Sequence, residues 1–265
     1  GLALLGLWAR AYFVQVVKGP EYARMANRQY WASETISGKR GEIFDRNGLL
    51  LAKTITTQSV SVRPHEVIDP WTVSQRLGRI LGINPRNISR MLGDKKRFVW
   101  VARKISDAQA TAIREEMLPG VYLEAEHSRQ YPQGHMAGQL LGFVNVDGQG
   151  IEGVEKSFNE MLAPSSAKYT VQKDAAGNRL SSPEAGDRTS FDGQNLRLTI
   201  DSQIQLATEE ALARSVMNAK AKYGMGLVVD VTTGEILGWA NYPLFNPNSV
   251  KKTSGEWKNR LAVDI

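Results

Sequence analysis

Arg40-Gly41-Glu42-Ile43-Phe44-Asp45-Arg46-Asn47-Gly48-Leu49-Leu50-Leu51-Ala52 sets two short apolar runs on either side of Asp45-Arg46-Asn47-Gly48. Asn-Gly is the strongest short hairpin signal, because both residues tolerate positive φ. The spacing therefore predicts two antiparallel strands joined by a type I′ turn at Asn47-Gly48. Gly48 permits that turn, and Asp45 and Arg46 tie its ends. Further on, Val60 and Val62 alternate with Ser59, Ser61 and Arg63, the pattern of a half-buried strand. Residues 35–63 read as strand throughout.

Beyond the hairpin the period changes. Val73, Leu77, Ile80 and Leu81 have helical spacing, with Gly82 as the stop, and Ile88, Met91 and Leu92 mark a second short helix. Ser106 opens a third over Asp107 to Met117, which Leu118-Pro119-Gly120 ends. A Ser-, Pro- and Gly-rich charged stretch from Ser181 to Asn195 then separates a new unit. In it Leu196 to Ile200 alternates as a strand. Ser202 and Gln205 have the spacing of a capping box for a helix whose Ile204, Ala211, Leu212, Val216 and Ala219 share one face. Leu227-Val228-Val229 and Ile236-Leu237-Gly238-Trp239 flank a Thr-Thr-Gly turn. Strands and helices in this irregular order imply an α+β fold rather than a wound parallel sheet.

The beginning of the chain is apolar. Gly1 to Ala9 are apolar or small, Arg10 interrupts, and Tyr12 to Val17 is mostly apolar again; a polar helical stretch follows Gly19-Pro20 to about Trp31. A complete membrane span needs about 20 apolar residues, more than this run supplies. Two readings stand: a buried amphipathic helix, or the outer end of a membrane helix. Trp8, Arg10 and Tyr12 at one level suit a membrane interface and favour the second.

At 265 residues the chain is long enough for one large domain or two ordinary ones. It has no cysteine, which excludes disulfides, thiolate catalysis and cysteine-bound metals. The net charge is +6, but the basic runs Lys95-Lys96-Arg97 and Lys251-Lys252 are short, and acids sit among bases as in Arg114-Glu115-Glu116. That is a mixed solvated surface rather than a nucleic-acid face.

Three motifs invite a chemical reading. Gly148-Gln149-Gly150-Ile151-Glu152-Gly153 is a literal G-x-G-x-x-G, preceded by the apolar run Leu140 to Val146 and followed by a helical pattern from Ile151 to Leu162, with Asp174 downstream. A dinucleotide site needs a helix N-terminus whose bare N–H groups face the pyrophosphate. Here Asp147, Glu152 and Glu155 crowd that end with carboxylates, which serve the helix start and repel a diphosphate. Ser-x-x-Lys occurs at Ser165 to Lys168 and at Ser249 to Lys252, the spacing that sets nucleophile and lysine on one helical face. Ser165 follows Pro164 and leads into a strand, and Ser249 follows the turn Asn246-Pro247-Asn248. Ser157-Phe158-Asn159 mimics a second transpeptidase motif, but Lys-Thr-Gly is absent from the sequence. His65, His127 and His135 lack metal-ligand spacing, so no metal and no cofactor is expected.

Four segments together resemble the class B penicillin-binding proteins, the septal, division-specific type among them. The first is Arg40 to Ala52. The second runs from Arg129-Gln130-Tyr131-Pro132-Gln133-Gly134 through Leu141-Gly142-Phe143-Val144 to Asp147-Gly148-Gln149-Gly150-Ile151-Glu152-Gly153-Val154-Glu155. The third is Val229-Asp230-Val231-Thr232-Thr233-Gly234-Glu235-Ile236-Leu237, continuing to Tyr242-Pro243, and the fourth is Phe245-Asn246-Pro247-Asn248 with Asn259-Arg260 behind it. The resemblance spans nearly the whole chain, including an anchor exit at Arg10 to Gln15.

The resemblance implies the end of a single-pass anchor in the bacterial inner membrane over 1–17. It further implies a non-catalytic, dimerisation-type pedestal over 18–190, elongated and on the periplasmic side, and the first strands and helix of a transpeptidase domain over 191–265. In the family the catalytic Ser-x-x-Lys arrives shortly after the segment matching Asn259-Arg260, so no catalytic residue is carried over and none is expected to bind a cofactor or metal. Arg40, Gly41, Asp45, Arg46, Gly48, Glu152 and Glu155 match positions that look structural. The whole protein would cross-link peptidoglycan stem peptides at the septum through an acyl-serine, the step that β-lactams intercept. This part would anchor, space and dock against a membrane-embedded peptidoglycan glycosyltransferase and other division proteins, with no nucleic acid involved. The alternatives are a non-enzymatic periplasmic scaffold and a dinucleotide-binding domain built on Gly148 to Gly153.

Overall fold

The computed structural model of the protein describes residues 6, 8, 10–18, 31–93, 96–172, 191–250 and 257–263. In chain order, strands β1 (Trp31–Ser37), β2 (Ile43–Phe44) and β3 (Leu50–Val62) lead into helices α1 (Pro70–Leu81) and α2 (Pro85–Gly93). Strand β4 (Val99–Ile105), helix α3 (Asp107–Glu115) and strand β5 (Val121–Gln130) come next, then the short helices α4 (Gly138–Leu141), α5 (Gly153–Ser157) and α6 (Asn159–Leu162). Strands β6 (Ser166–Gln172) and β7 (Leu196–Arg197) precede helix α7 (Ser202–Asn218), the hairpin β8 (Gly224–Val229) and β9 (Ile236–Tyr242), and α8 (Arg260–Val263). The fold is α+β. It divides into two compact units, residues 1–39 with 164–193 and residues 40–163 with 194–265.

The smaller unit pairs β1 with β6 antiparallel, from Trp31 opposite Gln172 to Ser37 opposite Ser166. Ser165, the first residue of one chance Ser-x-x-Lys match, donates its N–H to the Phe191 carbonyl at 2.9 Å and leads directly into β6. The N-terminal stretch is helical from Arg10 and becomes a π-helix over Phe13–Val17. Trp8, Tyr12 and Val17 are exposed there. No helix among the described residues is long and apolar enough to cross a membrane. The polar helix expected after Gly19-Pro20 and the separating stretch from Ser181 to residue 190 lie outside the described residues, although Trp31 itself opens β1.

The larger unit is organised by β3, which pairs with β2, β4 and β5, while β2 pairs in parallel with β7. Because β3 is central, its expected polar face is buried too: Ser59 and Ser61 are as buried as Val60 and Val62. The hydroxyls are satisfied rather than solvated. Ser59 donates to Glu126 and accepts the Lys104 N–H at 2.9 Å, and Ser61 donates to Glu124 at 3.4 Å. The apolar face of this sheet meets α1, α2 and α3 through Val60, Val62, Val73, Leu77, Ile88, Val101 and Ile113. The helices start and stop as their residues dictate. Asp69 accepts N–H bonds from Trp71 and Thr72, Gly82 closes α1 at a φ of 68°, and Ser106 and Gln109 form a reciprocal capping box on α3.

Three expectations need correction. The turn after β2 is not type I′, since Gly48 has a φ of 89° while Asn47 is not among the residues with positive φ. The Gly48 N–H donates to the Asp45 carbonyl at 3.3 Å, so Arg46 and Asn47 fill an ordinary turn and Gly48 takes the left-handed position that follows it. Register shifts by one residue between Ile43 and Phe44 as a result. Helix α7 is capped by Asp201, whose carboxylate accepts the N–H groups of Gln203 and Ile204, and not by a Ser202–Gln205 box. Nor is its buried face the apolar one expected. Ser202, Gln205 and Glu209 are buried on it together with Val216.

Candidate functional site

The second core of the larger unit holds Ile43, Leu51, Tyr131, Leu141, Val154 and Leu162. Charged groups are built into its edge. Glu155, on α5, is 0% exposed and lies between two guanidinium groups: Arg40 Nε is 2.6 Å from Oε2, and Arg129 Nε is 2.6 Å from Oε1. Arg40 also donates to the Glu155 carbonyl at 2.8 Å, to Asn159 Oδ1 at 2.9 Å and to the Gly148 carbonyl at 3.3 Å. Arg129 donates to the Gly41 carbonyl at 2.7 Å and to Thr54 Oγ1 at 3.2 Å, while its Nη2 is buried without a partner among the described residues. The Tyr131 hydroxyl donates to Glu155 at 3.3 Å; burial, then the nearby carboxylate, pushes its pKa far up. One carboxylate thus organises the residues entering β2, the end of β5 and the two helices of 153–162.

A second set joins the turn after β2 to α7. Asp45 accepts N–H bonds from Asn47 at 2.9 Å and Leu49 at 2.7 Å on one oxygen, and the Ser202 hydroxyl at 2.7 Å on the other. Burial alone would raise its pKa. The bonds from Ser202, Leu49 and Asn47 together outweigh that and hold the carboxyl below the ordinary aspartate value. Arg46 donates its N–H to the Ile200 carbonyl at 3.0 Å, and its exposed side chain reaches Glu235 at 3.4 Å.

The third set is polar and uncharged but for one acid. Gln205 Nε2 donates to the Trp239 carbonyl at 2.9 Å and to Glu209 Oε1 at 2.7 Å, and Gln205 Oε1 accepts the Trp239 N–H at 2.7 Å. Glu209 Oε1 also accepts the Ala137 N–H at 2.7 Å. Burial, the largest influence, pushes this carboxyl above the usual glutamate range despite Gln205, the Ala137 N–H and His135. Gln139 donates to the Pro243 carbonyl at 2.6 Å. Asn248 pairs with the Tyr131 backbone in both directions, at 2.9 and 2.8 Å. Asn259 accepts from Trp239 Nε1 at 2.9 Å and Asn241 at 3.1 Å.

The structure therefore brings together the four segments singled out in the sequence. Arg40, Gly41 and Glu155 share one cluster, and Asp45, Arg46 and Gly48 share the turn, with the Arg46 side chain at the surface. Glu152 and Glu155 do stand at a helix start, before and within the first turn of α5, and it is their side-chain roles that differ from expectation. Glu152 occupies the position before α5 but makes no side-chain cap, and Glu155 is the hub of the arginine cluster. Gln205, Glu209, Arg129 and Asn248 escaped sequence reasoning as partners. A buried polar face looks in sequence like an imperfect amphipathic helix, and nothing local announces the other side of a long-range bond.

Most N–H groups of the glycine-rich stretch are already committed within the chain. The N–H groups of Gly148, Gln149, Gly150 and Ile151 already donate to Asn145 O, Asn145 Oδ1, Asn159 Oδ1 and Phe143 O. Helix α5 is only five residues long, and no strand runs into it. At Gly153 a Cβ would meet the Leu140 carbonyl at 2.4 Å, so the glycine serves close packing. Ser249 lies in a turn, with its Lys252 partner outside the described residues. Among the described residues no group of histidines and acids could hold a metal ion. His65 and His135 are more than half exposed beside Glu66 and Glu209 respectively.

The penicillin-binding protein dimerisation domain family matches residues 35–198. Over its full length the chain is 34% identical to the peptidoglycan D,D-transpeptidase FtsI of Escherichia coli (strain K12), covering 46% of that protein. It is 31% identical to stage V sporulation protein D of Bacillus subtilis (strain 168), with 95% of this chain and 39% of the relative covered. Among solved structures, penicillin binding protein 2X from Streptococcus thermophilus superposes with a TM-score of 0.54 at 26% identity, over 87% of this chain and 38% of that one. The chain spans less than half the length of these curated relatives.

Proposed function

The chain belongs to the class B penicillin-binding proteins through their dimerisation domain, and from that premise we propose that it is the docking and spacing portion of a septal peptidoglycan D,D-transpeptidase. Residues 1–17 would finish a membrane anchor in the inner membrane, 18–190 would form the pedestal on its outer side, and 191–265 would begin the transpeptidase domain. The observation that carries this reading is the ion and hydrogen-bond framework of the larger unit. Arg40, Glu155, Asp45 and Ser202 tie strands of the dimerisation-domain match to the first helix beyond it. A framework of that kind transmits position, and it contains no nucleophile–base pair among the described residues.

The chemistry of the whole protein would be acyl transfer from a stem peptide through a serine ester, with β-lactams as mimics of that peptide. The name of the E. coli relative supports the reaction class, and the four-segment resemblance supports the division role. A membrane-embedded glycosyltransferase and other division proteins are the partners this reading requires.

The test is interference in cells. The chain, fused behind a full membrane helix and overproduced, should fractionate with membranes, occupy the septal position without cross-linking, and lengthen cells into filaments. Cells of normal length, with the fusion abundant and correctly inserted, would sink the docking role.

A further inference from the structure

Helix α7 carries a carboxylate where an amphipathic helix would carry an apolar side chain. Glu209 is 3% exposed, and its two oxygens are treated unequally. Oε1 accepts the Ala137 N–H and the Gln205 amide, each at 2.7 Å. Oε2 is buried and accepts no hydrogen bond among the described residues. The basic side chain facing it is His135, whose Nε2 lies 4.0 Å away on a ring that is 51% exposed. No other charged group acts on Glu209 among the described residues. On its own helix the neighbour is the uncharged Gln205, and β9 offers Gln205 the Trp239 backbone. The bond from Ala137 has a further consequence. That residue has a φ of 52°, a conformation that side chains other than glycine rarely adopt, so Glu209 holds the backbone at a strained point.

We propose that Glu209 and His135 form a proton-responsive clasp, which draws residues 131–141 more tightly onto α7 as the pH falls and relaxes as it rises. With both groups deprotonated, a carboxylate sits out of water with one bare oxygen, which is costly. A proton on His135 sets a cation beside that oxygen, and a proton on Glu209 removes the charge. Either proton relieves the same liability. Because burial makes the folded chain bind the Glu209 proton more tightly than the unfolded chain does, stability from this group rises as the pH falls and is lost as the pH climbs through the folded pKa.

The test compares the 265-residue chain with Glu209→Gln and His135→Gln between pH 5 and 8.5. The glutamine keeps Oε1 as an acceptor for Ala137 and Gln205 and cannot be ionised. At pH 8 it should melt about 2–4 °C above the parent, and that gap should narrow as the pH falls toward 5. The Ala137 amide resonance should titrate in the parent, lose that titration in Glu209→Gln, and shift its midpoint in His135→Gln. A melting difference that is the same at both pH values would overturn the proposal, as would a variant less stable than the parent throughout. An Ala137 resonance flat with pH in the parent, or unmoved by the histidine change, would overturn it even if the glutamine variant failed to fold.

Discussion

Glu155 and Glu209 are both almost wholly buried in the same unit, yet one lies between two guanidinium groups at 2.6 Å and the other meets neutral donors on one oxygen alone. Burying an isolated charge costs several kcal/mol, and pairing with further hydrogen bonds offsets that cost. At Glu155 the offset is built in and exceeds one charge, since Arg40 and Arg129 are both committed to it. At Glu209 the offset depends on where a proton sits. The first site therefore fixes geometry whatever the conditions, whereas the second couples geometry to pH. The difference follows from partner type: arginines from β5 and from the segment before β2 reach α5, whereas among the described residues the basic side chain beside Glu209 is His135.

The comparison breaks most readily at the hub. Glu155→Gln leaves two buried guanidinium groups facing a neutral amide, and removing one member of a buried ion pair costs about 3–5 kcal/mol. Denaturant unfolding should show a loss of that size with little change across pH 5 to 8. A loss under about 1 kcal/mol would mean that water reaches the arginines and that the contrast with Glu209 is one of degree.

A smaller effect is expected at the turn beside the second set. Gly48 has open space around it but a φ of 89°, so Gly48→Val is strained by backbone conformation alone and should cost about 1–3 kcal/mol. Thermal unfolding equal to that of the parent would show that the turn can re-form elsewhere. Asp45 sharpens the comparison by carrying a shift of the opposite sign to Glu209. Its folded pKa lies below the ordinary 3.8, so the stability it contributes is present above that value and is lost as the pH falls through the folded pKa. Asp45→Asn should cost about 1–2 kcal/mol at pH 7. In acid unfolding the variant should approach the parent below pH 4, because the parent loses there what the variant already lacks.

Much of the fold was legible because it is local. Val73, Leu77 and Gly82 write a helix and its end, Ser106 and Gln109 write a capping box, and Asn47-Gly48 writes a reversal even though the turn type differs. The illegible part is the part that needs a partner. Ser59 and Ser61 alternate like solvent-facing residues, and only the presence of strands on both sides of β3 buries them. Gln205 reads as a capping residue until β9 is placed against it. The candidate site was half legible: Arg40, Asp45, Glu152 and Glu155 stand out through the resemblance, but the sequence attaches no geometry to them. It therefore placed Glu155 at a helix start, where it stands, without its partners 115 and 26 residues away.

The smallest effect is expected where the motif is most conspicuous in sequence and most exposed in structure. Arg46 lies inside Arg40 to Ala52, beside the buried Asp45, and its guanidinium pairs with Glu235 at 3.4 Å with the two side chains 37% and 41% exposed. An exposed pair gains little over its hydrated partners and is weakened by salt. The backbone bond from Arg46 to Ile200 survives any side-chain change that keeps the turn. Arg46→Ala should therefore cost no more than about 0.5 kcal/mol. Because the residue links the same two stretches of chain as Asp45 and Ser202, it is the control that separates charge from burial. The Arg46→Ala and Asp45→Asn losses should differ by about 1 kcal/mol at low salt and diverge further as salt screens the exposed pair alone. If the Arg46 variant instead lost as much as the Asp45 variant, and the loss did not respond to salt, the guanidinium would be acting through packing of its stem. Buried and exposed charges at this junction would then no longer form distinct classes.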